Sequence, residues 1–422
     1  MPWAMPALLL MIKRHCQSSE FLIYFVSRDK QEPAVYDKVI AFYFRITVKV
    51  LLVKRSYLLF AFLLIAVLAL QNCKPEPKIT KGNNDPDSLY VGTKYVWPTT
   101  LFQFPVLTNS YADSMTNEGV ALGRRLFYDK HLSSTGLISC ASCHQLSHAF
   151  TDSGKAFSTT VNGPTFRNTM ALINLAWSPY FDFDGRQPTL AAQAQEAFHD
   201  NMGFSAPTAI TYLQTDTVDV KLFKKAFGRP GTITETGIYK ALQQFLMTAI
   251  SSNSKFDQYR QQKVSFTSSE LNGLTIFASE TGDCFHCHMS EGGQSLLMTD
   301  NLFRNNGLDS VLEIHAFKDA GRGAITLNAN DYGKFKDPTL RNIALTGPYM
   351  HDGRYTTLMQ VINFYSDSTH DSPTEDPIML LYNHNYGRGL QLAPSQKTDL
   401  LNFLYTLTDT SFLDNPALSN PF

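Results

Sequence analysis

The chain has 422 residues, 44% of them hydrophobic, and a formal net charge of −1. That length supports two or three globular domains with ordinary cores. Past residue 73 the balance is mildly acidic, 27 basic against 33 acidic residues, which gives no electrostatic case for nucleic-acid binding.

Residues 1–73 read as targeting rather than fold. Lys54 and Arg55 precede an apolar run from Tyr57 to Leu70, and then comes Cys73. A basic n-region, a short h-region and a polar exit make a signal-peptide layout. The run is short for a membrane-spanning helix. Cys73 resembles the lipidated cysteine of bacterial lipoproteins, although Leu70-Gln71-Asn72 lacks the small residue usual before it. Plain cleavage and an uncleaved anchor are the alternatives. Residues 1–53 either precede the true start or supply a second anchor near Val39–Val53. A periplasmic protein with an N-terminal membrane tether is expected. Residues 74–97 follow as a linker, because Lys74–Ser88 is rich in Pro, Lys, Asn and Asp.

An N-terminal domain is expected over residues 98–264. It opens with a helix at Asn117–Phe127, where a polar cap, an acidic first turn and helical apolar spacing coincide. Cys140-Ala-Ser-Cys143-His144 comes next. A second domain, residues 265–394, repeats the order with a helix at Ser269–Phe277 and then Cys284-Phe-His-Cys287-His288. A last helix near Ser395–Leu407, within a C-terminal segment 395–422, packs back on the body. The C-x-x-C-H spacing reads as c-type haem attachment. Two thiols form thioethers with the haem vinyl groups, and the adjacent His becomes the proximal iron ligand. Attachment happens outside the cytoplasm, so motif and export signal support each other. One four-thiolate zinc site, disulfides, or a redox C-x-x-C are the alternatives. None of them needs the His that follows in both copies.

The resemblance between halves continues. Pro164-Thr-Phe-Arg-Asn168 and Asp184-Gly-Arg-Gln-Pro-Thr-Leu190 answer to Pro338-Thr-Leu-Arg-Asn342 and Asp352-Gly-Arg-Tyr-Thr-Thr-Leu358. The expected fold is all-α, two cytochrome-c-like haem domains related by internal duplication. A helix should follow each Asp-Gly-Arg element. With the copies aligned there, Tyr365 falls opposite Ala197, and Val361 opposite Gln193. If this helix covers the distal side of each haem, Tyr365 caps the second iron and the first stays open, with Gln193 one turn away.

These motifs, with Thr346-Gly-Pro-Tyr-Met-His-Asp-Gly-Arg354, resemble the bacterial di-haem cytochrome c peroxidase and MauG family over about Pro98 to Leu407. The resemblance implies reduction of hydrogen peroxide to water at an N-terminal peroxidatic haem. Electrons come from a small cytochrome c or copper protein through the C-terminal haem. A MauG-like oxidase, acting on a protein or small-molecule substrate through high-valent iron, is the alternative. A homodimer is compatible with either. The resemblance also implies a calcium ion held by the Asn168 side chain and the carbonyls of Thr346 and Pro348, donors that suit a hard cation.

The sequence departs from the family in several places. No His lies between His148 and His199; Thr159, Thr160 and Asn162 occupy the loop that often supplies a second ligand to the first haem. Phe183 stands where a Trp usually lies between the haems. Gln193 matches a distal active-site Gln, but Asn201 replaces the distal Glu, leaving Glu196 and His199 as the nearest acid–base candidates. Tyr365 stands where peroxidases carry Met and MauG carries Tyr; Met298, Met350 and Met359 are other possible ligands. His351 reads as structural, near the domain interface.

Overall fold

In a computed structural model, the residues described are 11–12, 23–24, 92–98, 101–108, 110–152, 154–228, 232–289, 296–379 and 389–422. The chain forms two compact units, Met1–Gly82 and Asn83–Phe422. In the first, the described residues are an antiparallel pair, Met11–Ile12 with Ile23–Tyr24. Cys16, Cys73, the apolar run and Lys74–Ser88 lie outside the described residues. No helix among those described is long and apolar enough to cross a membrane.

The second unit is mostly helical. Its longer helices are α1 (Asn117–Tyr128), α2 (Leu190–Met202), α3 (Ala206–Leu213), α4 (Thr217–Phe227), α5 (Glu235–Met247), α6 (Lys255–Arg260), α7 (Ser268–Phe277), α8 (Leu358–Asp367) and α9 (Pro394–Tyr405). Among the described residues its strands are two antiparallel pairs of two residues each, Thr159–Thr160 with Gly163–Pro164 and Phe303–Arg304 with Phe335–Lys336.

Helix starts follow local chemistry. Thr116 caps α1 by accepting from Gly119 N, and Thr267 caps α7 in a reciprocal box with Glu270. Each of these helices then packs against a later one through a glycine. A Cβ at Gly123 would collide with the Ala241 carbonyl of α5, and a Cβ at Gly273 with the Asp399 carbonyl of α9. Only glycine permits so close an approach of backbones. The first core gathers Leu122, Leu126, Phe127, Phe150, Phe198, Leu242 and Phe245. The second gathers Phe256, Phe277, Leu358, Ile362, Phe403 and Leu404. Each such side chain contributes roughly 1.5–3 kcal/mol by leaving water.

The halves share a finer register. Asn174 and Asn342 both adopt left-handed backbone, and their amides donate to Ala249 O and Leu407 O. Phe181 bridges Gln187 as Tyr349 bridges Tyr355. Thr189 and Thr357 cap α2 and α8. These correspondences keep one offset and bring Ala197 opposite Tyr365. They also correct one sequence match: the counterpart of Asn342 is Asn174, so Arg167-Asn168 is not the structural partner of Arg341-Asn342. Arg341 is buried and forks onto Asp257 at 2.6 and 2.8 Å. Arg167 instead bridges Asp184 and Asp319, at 2.6 Å each.

The segments that flank the two halves are tied to them as well. Residues 92–97, assigned to the linker, are tied to α1: Thr93 N donates to Glu118 at 2.7 Å and Tyr95 N to Met115 O at 2.9 Å. The C-terminal segment serves both halves. Helix α9 joins the second core, while Phe412 and Leu418 bury in the first. Long-range pairing of this kind leaves no mark on local pattern.

Candidate haem cavities

Each C-x-x-C-H motif forms a single helical turn or its immediate edge, Cys140–Cys143 and Phe285–His288. The chain then turns the histidine inward. His144 Nδ1 lies 2.8 Å from Phe150 O, and His288 Nδ1 3.3 Å from Met298 O. Engaging Nδ1 with a carbonyl leaves Nε2 to bind a metal in the right tautomer. Burial holds both rings neutral, lowering the His144 pKa and pushing His288 down to about 4. Burial also raises the four thiols, Cys140 and Cys284 to about 12.

The motifs face two different cavities. One, of about 380 Å³, is lined by Cys143, His144, Thr160, Asp182, Phe183, Arg186, Gln193 and Asn201. The other, of about 310 Å³, is lined by Cys284, Cys287, His288, Asn306, Met350 and Tyr365. The four described cysteines are free, and they do not gather around one metal position. A single four-thiolate zinc site is therefore excluded. Paired thiols, an inward imidazole and a mostly apolar cavity beside each fit a c-type haem in each half.

The walls differ. In the second cavity the Tyr365 hydroxyl accepts a hydrogen bond from Asn306 Nδ2 at 2.8 Å, and burial raises its pKa well above that of a free phenol. Met350 lines the same cavity; Met298 and Met359 do not. By register the residue matching Tyr365 in the first half is Ala197; from the same helix, Leu190 and Gln193 line the first cavity. Of the described residues lining it, one is histidine, His144. Thr160 and Asn201 line it as well, and Val161 N donates to Asn201 O at 3.0 Å.

Gln193 lines the first cavity, but Glu196 does not. Glu196 is drawn aside by Arg186, whose Nε lies 2.7 Å away, and by the Gln187 amide. His199 pairs with Glu235 at 3.3 Å and also lies outside the lining. Both expected acid–base candidates are thus ionic or surface contacts. Phe183 lines both cavities, as its match to the inter-haem Trp implied. Lys336 does too; its ammonium donates to Ser178 Oγ at 2.9 Å and Tyr180 O at 3.1 Å, and burial lowers its pKa to about 8. His351 is buried and stacks on Phe335, with centroids 3.8 Å apart.

Two of the expected calcium donors, Asn168 and Pro348, meet. Asn168 Nδ2 donates to Pro348 O at 2.5 Å while its Oδ1 accepts from Thr169 N, and Thr346 lines the same cavity. Turning the amide over would present Oδ1 beside that carbonyl, giving an oxygen set suited to calcium.

A family model, di-haem cytochrome c peroxidase, matches residues 117–265. The methylamine utilization protein MauG of Methylorubrum extorquens is 31% identical over 302 residues, 70% of this chain and 80% of the relative. The chain belongs to the di-haem cytochrome c peroxidase and MauG family. A cytochrome c551 peroxidase of Nitrosomonas europaea is 33% identical over 252 residues, 57% of this chain and 70% of the relative. Among solved structures, a MauG-like protein associated with microbial copper homeostasis aligns with a TM-score of 0.68 and 31% identity, covering 77% of this chain and 99% of the other. The haem cofactors follow from membership. The relatives include both peroxidases and MauG proteins.

Sequence reading missed Asp182, Asn306 and Lys336. Asp182 had a usable signal, since the repeat offset sets it opposite Met350, itself a proposed ligand. Asn306 and Lys336 had none, because each reaches its cavity from a distant loop or short strand.

Proposed function

We propose that this protein is a cytochrome-c peroxidase. It reduces hydrogen peroxide to water with electrons from a small periplasmic cytochrome c or copper protein. Cys140, Cys143 and His144 hold the peroxide-facing haem; Cys284, Cys287 and His288 hold the electron-entry haem. When bound, the haem pair supplies the iron and the two electrons of the reduction. The protein's own residues do the rest. Gln193 offers a side-chain amide to orient peroxide in the first cavity. Tyr365, held by Asn306, closes the second against small ligands. Phe183 and Lys336 fill the space between the cavities.

The carrying observation is the contrast between Tyr365, which lines the second cavity, and Ala197, the residue at the matching register position of the first half. Spectra and turnover test it together. The oxidised protein should contain one high-spin haem and consume peroxide with reduced cytochrome c as donor. Lack of turnover with any small donor would defeat the assignment. Tyr365 also favours a second reading, a MauG-like oxidase, because a phenolic oxygen stabilises higher oxidation states. That reading predicts slow peroxide turnover and a long-lived oxidised form.

Further parts of this reading rest on the same reasoning. The shared register supports descent of the two halves from one duplicated haem domain. Asn168, Thr346 and Pro348 would hold calcium; millimolar calcium should then raise the unfolding midpoint, and EGTA should reverse the gain. Export to the periplasm, with lipid on Cys73, would make the protein membrane-tethered.

A further inference from the structure

The first cavity lacks an assigned acid–base group. Besides its haem-binding Cys143 and His144, its ionisable lining residues are Arg167, Asp182, Arg186 and Lys336. Arg167 is bound to Asp184 and Asp319, Arg186 to Asp184 and Glu196, and Lys336 to Ser178 and Tyr180. Asp182 is the one carboxylate among the described lining residues. Its Oδ2 is buried and accepts no hydrogen bond. The nearest cation, Arg186 Nε, is 3.6 Å away, beyond hydrogen-bond reach. A buried carboxylate oxygen without a donor is costly, and it calls for a reason at a site of chemistry.

The backbone adds an independent sign. Asp182 has φ 66, left-handed for a residue with a side chain. Its counterpart in the second half, Met350, has φ 72 and lines the other cavity. The same strained turn aims a carboxylate into one cavity and a thioether into the other.

We propose that Asp182 is the proton carrier of the first haem cavity, taking a proton from the iron-facing oxygen of peroxide and returning it to the outer one. This rests on the reading of that haem as open. The O–O bond breaks as the outer oxygen leaves with both protons as water. Two electrons, from the haem pair and its small redox-protein donor, and two solvent protons convert the remaining oxygen to the second water. Asp182 ends as it began, ionised. Burial raises its pKa to about 6, against the opposing pull of Arg186 and the Gln193 amide. Glu196 and Asp184 push the same way as burial, and Lys336 faces it from the other half. A group poised there is mostly ionised at neutral pH and can still re-protonate peroxide.

Cyanide is the probe, because hydrogen cyanide must lose its proton on binding ferric iron. Association with the oxidised holoprotein should accelerate as pH rises through an inflection near 6. Asp182→Asn should abolish the inflection and slow binding by roughly 100-fold; Asp182→Glu should restore part of both. An Asp182→Asn protein with unchanged rate and pH profile would overturn the proposal while leaving the open haem intact. A wild-type protein that binds no cyanide would overturn the open-haem reading, and this proposal with it. If Asp182→Asn does not fold, a wild-type profile flat from pH 5 to 7 overturns the proposal alone.

Discussion

The two haem cavities are built from the same parts and finished differently. Each has a C-x-x-C-H turn, a histidine whose Nδ1 meets a carbonyl, a left-handed Asn, a left-handed residue two positions before Asp-Gly-Arg, and a threonine-capped helix. At the finishing positions the first half carries Asp182, Gln193 and Ala197. The second carries Met350, Val361 and Tyr365. On the proposed reading, the side chains at these three positions decide which cavity admits a ligand. The contrast extends to the supports. Arg341 is fully enclosed with Asp257 in the second half, whereas Arg167 keeps 16% of its side chain exposed between the halves.

The largest effect should come from removing one attachment site. Cys140→Ala with Cys143→Ala should halve haem content by pyridine haemochrome and abolish peroxide turnover. The same change at Cys284 and Cys287 should also halve haem content but leave cyanide binding at the first haem. Loss of cyanide binding there would mean the roles of the two cavities are reversed.

Arg341→Ala comes next. It strands the Asp257 carboxylate in the second core and should cost about 3–5 kcal/mol in denaturant unfolding. Arg167→Ala, partly open to water, should cost less. Equal costs would contradict the difference in enclosure.

Lys336→Met tests the boundary between the cavities. Its folded pKa is depressed from 10.5 to about 8. Between those values the unfolded chain binds more protons, so stability rises with pH. This contribution is complete above pH 10.5 and lost as pH falls through 8. Wild type should gain about 3 kcal/mol over that window relative to Lys336→Met. Parallel stability curves would show that Lys336 is solvated.

Tyr365→Phe should have the most local effect, altering only the spectrum of the second haem. An unchanged spectrum removes Tyr365 as a ligand and turns attention to Met350, which lines the same cavity.

What the sequence revealed was what short spacing can encode. Cys140, Cys143 and His144 sit on one turn, and Thr189 and Thr357 mark helix starts by residue type alone. The alignment that set Tyr365 against Ala197 keeps the register of the structure. Matching Arg167-Asn168 to Arg341-Asn342 did not, because two identical dipeptides outweighed a six-residue shift that only backbone geometry reveals. Glu196 looked catalytic by helix position, yet Arg186 and Gln187 draw it away. The repeat offset marked Asp182 by setting it opposite Met350, but its buried oxygen without a hydrogen bond exists only in the folded chain.

The most direct test of unequal haems is the resting spectrum of the oxidised holoprotein, by EPR and electronic absorption. One high-spin and one low-spin haem, with Tyr365→Phe perturbing only the low-spin signal, is the predicted result. Two low-spin haems would contradict it.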